Sequence, residues 1–144
     1  MVEHVASLPP SKLVLYDGVC AICNRTVQWL LQVDRLARLR FAPLRGTTAD
    51  ELRRRHPEIP RDLDSIIYVE ASDGEEHVSW NSEALFRIYA DLGLQSRLVS
   101  SARWLPRWCT DVAYRAFARM RYQLFGKLDA CPLPPPEVRQ RFLP

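Results

Sequence analysis

The chain has 144 residues, of which 47% are hydrophobic and 26% charged, with a formal net charge of +3. That balance suits one globular domain with a real core and excludes a disordered chain, and no internal period of solenoid type is found. No apolar run approaches the roughly 18 to 20 residues needed to span a bilayer. Charge is uneven: acidic residues prevail between Asp50 and Asp91, whereas Arg97, Arg103, Arg107, Arg115, Arg119, Arg121 and Lys127 face only Asp111. The segment from Met1 to Lys12 lacks the basic start and apolar stretch of a secretory signal, so a cytoplasmic location is the expectation. In a reducing compartment a close cysteine pair serves redox chemistry or metal binding more often than structure.

In chain order, Leu13–Tyr16 is a short apolar run, as for a strand buried on both faces, and Asp17–Gly18 breaks it. From Cys20 the spacing becomes helical, with Cys20, Cys23, Val27, Leu30 and Leu31 on one face. Arg38–Ala42 alternates, predicting a half-exposed strand ended by Pro43. Thr48–Arg55 predicts a short helix with acids early and arginines late, followed by Pro57 and Pro60. Ser65–Glu70 and Glu76–Trp80 predict a hairpin around Asp73–Gly74. Asn81 or Ser82 should then cap a helix that ends at Gly93, with Ala84, Leu85, Ile88, Tyr89 and Leu92 inward.

The resulting order, β-α-β-α-β-β-α, is that of a thioredoxin-like α/β three-layer sandwich around a central mixed sheet. A C-terminal helical extension follows, with a long helix predicted from Thr110 to Phe125 through Val112, Ala116, Met120 and Leu124. Residues 132–136 read as an extended proline-rich tail, with a last turn near Val138. Residues 1–144 are thus expected to form a single domain, with its core over 13–95 and the extension over 100–144.

Cys20–Ala21–Ile22–Cys23 lies where a buried strand hands over to a helix. Positions i and i+3 share a helix face, so the two sulfurs can meet. A cysteine at the helix start faces unpaired N–H groups and the positive end of the dipole, which favour its thiolate. Cys20 is therefore the expected exposed nucleophile, and Cys23, one turn deeper, the thiol that resolves the mixed disulfide.

The segment Tyr16–Asn24 resembles the Asp-x-x-Cys-x-x-Cys signature of the DCC family, thioredoxin-like proteins predicted to be thiol–disulfide oxidoreductases. Phe41–Leu44, Asp64–Ile67, Ser82–Leu85 and Arg121–Lys127 with Cys131 are also similar to that family, over roughly residues 13 to 143. The resemblance implies a role for Asp17, as proton acceptor for Cys23 or as a brace for the loop; a plain Asp–Gly turn is the simpler alternative. It also brings Arg121, Tyr122, Lys127 and Cys131 into consideration: the first three to shape the site or attract an anionic partner, and Cys131 as a third redox thiol or a structural residue. A thioredoxin-type proline directly before the third strand is missing, since Pro60 comes too early, and Ser65 is expected to stand beside the cysteines instead.

The expected partners are a protein or small-molecule disulfide and a separate reductant, with no organic cofactor, nucleic acid or membrane span. Two other readings remain open. Cys20, Cys23, Cys109 and Cys131 could supply four thiolates to zinc, although Cys109 and Cys131 do not form a second close pair. The arginine-rich C-terminal segment with Trp104, Trp108, Tyr114, Tyr122 and Phe125 could instead be a binding surface without turnover. The spacing of those aromatics predicts that most of them pack on the sheet.

Overall fold

A computed structural model describes residues 12–63, 65–72, 74–94, 97–102, 104–127, 134 and 136–144, with backbone alone at 98 and 99. Asp64, Asp73, Arg103, Cys131 and most of the proline-rich tail lie outside the described residues. The elements are β1 (Lys12–Tyr16), α1 (Ala21–Val33), β2 (Arg40–Pro43), α2 (Thr47–Arg55), β3 (Ile67–Ser72) and β4 (Glu75–Trp80). They continue with α3 (Asn81–Asp91), α4 (Arg97–Ala102), α5 (Arg107–Phe125) and a 3-10 turn at Arg139–Arg141.

The sheet order is β2-β1-β3-β4, with β1 and β2 parallel and β3 antiparallel to both β1 and β4. Alternation along β1 sorts the core onto two faces. Leu13 and Leu15 join Ala49 and Leu52 of α2 on one side. Val14 and Tyr16 join Val27 and Leu30 of α1 and Ala84 and Ile88 of α3 on the other. This is the thioredoxin-like α/β arrangement, a mixed sheet with helices on both faces.

The second strand is more buried than its alternation predicts: Phe41 and Ala42 are both enclosed. Ala42 meets the α2 cluster, and Phe41 stacks on Phe142, their ring centroids 5.4 Å apart. Phe142 also bridges the open edge of β2, and the Leu143 N–H donates to the Phe41 carbonyl at 2.7 Å. A charged clasp fixes this return of the chain: Arg141 donates to Asp34 at 2.5 Å and to the Leu39 carbonyl at 3.2 Å. Asp34 also accepts from the Arg38 and Leu39 N–H groups at the end of α1.

The start of α3 differs from the expected side-chain cap. Trp80 is the N-cap residue and no side chain caps the helix. Asn81 sits at φ 59°, a left-handed conformation that Asn tolerates. Its Oδ1 accepts from Ser65 at 2.6 Å, while the Ser82 hydroxyl donates to Asp111 of α5 at 2.8 Å. Both side chains are thus drawn into tertiary contacts. The C-terminal end matches its signal: Gly93, at φ 69°, donates to Ala90, and Leu94 donates to Tyr89. These two bonds are those of a Schellman motif.

Helix α5 packs against α3 and α1, but not through the expected face. Ala118 and Arg121 are buried and Tyr114 is half-buried, whereas Val112, Met120 and Leu124 face solvent. Trp104, Trp108 and Phe125 are exposed too, so these aromatics do not pack on the sheet. The polar partners available on α1, α3 and the loop after β1 select the polar side of α5, as the site geometry makes plain.

Candidate functional site

The site forms at the carboxyl end of β1. Asp17 Oδ1 accepts from the Val19 N–H at 3.2 Å, and the Asp17 carbonyl accepts from the Cys20 N–H at 3.2 Å. Asn24 reaches back from α1 to the Gly18 and Cys20 carbonyls at 2.6 and 3.0 Å. This bracing leaves Cys20 in extended conformation, at φ −85° and ψ 121°, as the N-cap of α1. Its Sγ accepts from the Cys23 N–H at 3.4 Å, where an oxygen cap would ordinarily sit. The two cysteines are therefore close, with Cys20 at the positive end of the helix dipole.

Exposure runs opposite to expectation. Cys20 is fully buried and Cys23 is half-buried. The cause is the chain leaving α5: Gly126, at φ 87°, turns it so that Lys127 forms an antiparallel β-bridge with Cys20. The Lys127 ammonium lies over the Tyr122 ring, 5.5 Å from its centroid.

Arg121, only 2% exposed, belongs to the family-like segment expected to shape the site, but its burial and its partners were not expected from the sequence. Its Nη2 donates to Asp17 Oδ2 at 3.0 Å, and its Nη1 lies 4.0 Å from Cys23 Sγ. The Tyr122 hydroxyl donates to the same Asp17 oxygen and lies 3.2 Å from Arg121 Nη2. A guanidinium from the far end of the chain thus sits between a carboxylate and a sulfur. Its presence in the Arg121–Lys127 segment was the available signal, but nothing local reports what it touches.

Burial pushes the Cys23 thiol up to about 12, helped by its hydrogen bond with Cys20 and the charge there, and opposed by the Arg121 guanidinium. Burial and the bond to Asp17 likewise hold the Tyr122 hydroxyl above its ordinary value. The paired cysteines thus differ in environment: one sulfur caps a helix, and the other keeps its proton beside a buried cation.

Ser65 is buried, with its hydroxyl bonded to Asn81. Among the described residues no three His, Cys, Asp or Glu side chains gather where they could hold a metal ion. Cys109 lies in the first turn of α5, twelve residues before Arg121, a rise of about 18 Å along the helix. That distance keeps Cys109 away from the Cys20–Cys23 pair, so the four-thiolate arrangement does not form. Cys131 is outside the described residues. A cleft of about 550 Å³ between α3, α4 and α5 is lined by Asn81, Glu83, Arg107 and Asp111 but by neither Cys20 nor Cys23.

A thioredoxin-like sheet that delivers a CxxC to a helix N-terminus defines the class of dithiol proteins. Residues 14–127 match the DCC1-like thiol-disulfide oxidoreductase family, and the chain belongs to it. It is similar to the uncharacterised protein YuxK of Bacillus subtilis, 32% identical over 136 residues, which cover 94% of this chain and 96% of that one. It is also 32% identical over 123 residues to a DCC family protein of Arabidopsis thaliana described as chloroplastic, covering 84% of this chain and 69% of that one. No solved structure matches. Among the described residues, no helix is long and apolar enough to cross a membrane.

Proposed function

We propose that the protein is a thiol–disulfide oxidoreductase in which Cys20 attacks and Cys23 resolves. The observation that carries this reading is the Cys20 sulfur at the N-cap of α1, accepting from the Cys23 N–H while Cys23 keeps its proton. The Cys20 thiolate attacks a substrate disulfide, forms a mixed disulfide and expels one thiolate. Cys23 then loses its proton and attacks the Cys20 sulfur. The intramolecular disulfide forms, the second substrate thiolate leaves, and two electrons have passed to the substrate. A separate dithiol or thiol reductant restores the pair.

Arg121 and Asp17 act as positioning residues in this scheme. Asp17 holds the guanidinium beside Cys23, where its charge favours the thiolate needed for resolution. Once Cys20 is in a mixed disulfide it carries no charge, and one cause of the raised Cys23 pKa is gone. Lys127 occupies the place where an extended substrate would pair with the Cys20 backbone, so that bridge must open first. Tyr122 and Lys127 would then border the entering substrate, and Ser65 and Cys131 are the further substrate-binding candidates. Residues 1–144 would work as one domain, since α5 supplies the cation of the site. A reducing, cytoplasmic setting suits a pair that must be returned to dithiol.

The test is trapping. Cys23→Ser should accumulate mixed disulfides with a disulfide substrate, and Cys20→Ser should abolish exchange. Equal activity of either variant with the parent would remove the assignment.

A further inference from the structure

The outer face of α5 takes no part in the exchange scheme and is strongly apolar. Trp104 is 90% exposed and Trp108 69%, and Leu105, Val112, Phe117, Met120 and Leu124 are exposed with them. At 3.6 residues per turn, Val112, Ala116, Met120 and Leu124 form one ridge, with Ala113 and Phe117 beside it. The opposite side of the helix carries Asp111, Tyr114, Arg121 and Tyr122 into the protein. The helix is amphipathic with its apolar side outward.

Charge indicates what this side meets. Arg97, Arg107, Arg115, Arg119 and Lys127 are exposed along the same stretch. Arg107 pairs with Glu83 at 3.0 Å, while Arg97, Arg115 and Arg119 form no ion pair with a described residue. Asp111, the single acidic residue between Arg97 and Lys127, is half-buried and bonded to Ser82. An apolar ridge with tryptophans at one end and arginines along its flank has the composition of a helix lying in the interface of a lipid leaflet. Anionic headgroups would answer the arginines, and the acyl boundary would take Trp104, Trp108 and the ridge. A second copy facing the first would bring two rows of arginines together. A nucleic acid would match the arginines but leave the apolar ridge against a polyanion.

We propose that α5, with the turn before it, docks the protein on an anionic bilayer surface as an interfacial helix, without crossing it. This does not depend on the exchange reaction, because the ridge lies opposite the site-facing side of α5, with Arg115 and Arg119 along its flank.

The experiment is co-sedimentation of the full chain with phosphatidylcholine vesicles, with and without phosphatidylglycerol, at low and high salt. Binding is expected only when phosphatidylglycerol is present, weakening as salt rises, with a blue shift of tryptophan emission that Trp104→Phe with Trp108→Phe removes. Arg115→Gln with Arg119→Gln should lower the affinity about thirtyfold. Val112→Asp with Leu124→Asp should lose binding while the circular dichroism spectrum stays unchanged, since both positions are exposed. Absence of binding to anionic vesicles would overturn the proposal. So would equal binding to neutral vesicles, a concentration-dependent dimer by light scattering that Val112→Asp dissolves, or oligonucleotide binding that survives loss of the ridge.

Discussion

Helices α1 and α5 are both amphipathic, and they are buried in opposite senses. In α1 the apolar face goes in, through Val27 and Leu30, while Arg25, Gln28 and Gln32 stay out or at the margin. In α5 the face that goes in carries Arg121, Tyr122, Tyr114 and Asp111 around a single small apolar residue, Ala118. The first helix is held by the core. The second is held by charge and hydrogen bonds and delivers the cation of the candidate site. An amphipathic pattern therefore identifies a helix without stating which face a protein uses.

Substitutions should separate the two cases. Leu30→Ala, in the core against β1, should cost about 3 kcal/mol in denaturant unfolding. Leu124→Ala, the corresponding change on the outer face of α5, should fall within about 0.5 kcal/mol. Equal losses would mean that the outer ridge of α5 is covered.

Removing the buried cation should be comparably severe. Arg121→Met strands the Asp17 carboxylate and should cost about 3 kcal/mol, because a buried pair broken on one side leaves an uncompensated charge. Asp17→Asn in the same chain should return part of that loss. A double variant no more stable than Arg121→Met alone would show that packing, rather than the pair, is what Arg121 provides.

A smaller effect distinguishes the charges around Cys23. The folded-state pKa of Cys23 is raised, from 9.0 to about 12. Its protonated form therefore contributes stability that is present in full below about pH 9 and lost as pH rises through about 12. In Cys20→Ala the hydrogen bond and charge from Cys20 are absent, so the Cys23 thiol should titrate at lower pH, followed by thiolate absorbance. Adding Arg121→Met should move it up again. Titration that ignores Arg121 would detach the guanidinium from the sulfur.

The smallest effect concerns acid. Burial pulls Glu76 up, but its bonds to Arg55 and His56 hold it net below its ordinary 4.5. Its contribution is present above that value and is lost as pH falls through the depressed one. Glu76→Gln should remove that small contribution at neutral pH and so flatten the acid limb of the unfolding curve, leaving stability below the depressed pKa nearly unchanged.

The same contrast explains what the sequence disclosed. The strand order, the CxxC at the helix start and the Gly93 terminus are written in adjacent residues, so spacing and turn chemistry reveal them. The contact between Asp17 and Arg121 joins positions 104 apart and leaves no local trace. The outward ridge of α5 and the burial of Cys20 under Lys127 have the same origin, because both follow from where the polar face of α5 finds partners. Asn81 and Ser82 carry cap chemistry, but Ser65 and Asp111 take their side chains instead.

The central claim is that Cys20 and Cys23 form a reversible redox pair, and the most direct measurement is their state across a glutathione redox series, read by mass spectrometry after alkylation. The account predicts a Cys20–Cys23 disulfide that appears and disappears with a single midpoint in the full chain. A pair that stays reduced through the whole series, or cysteines found saturated with zinc, would contradict it.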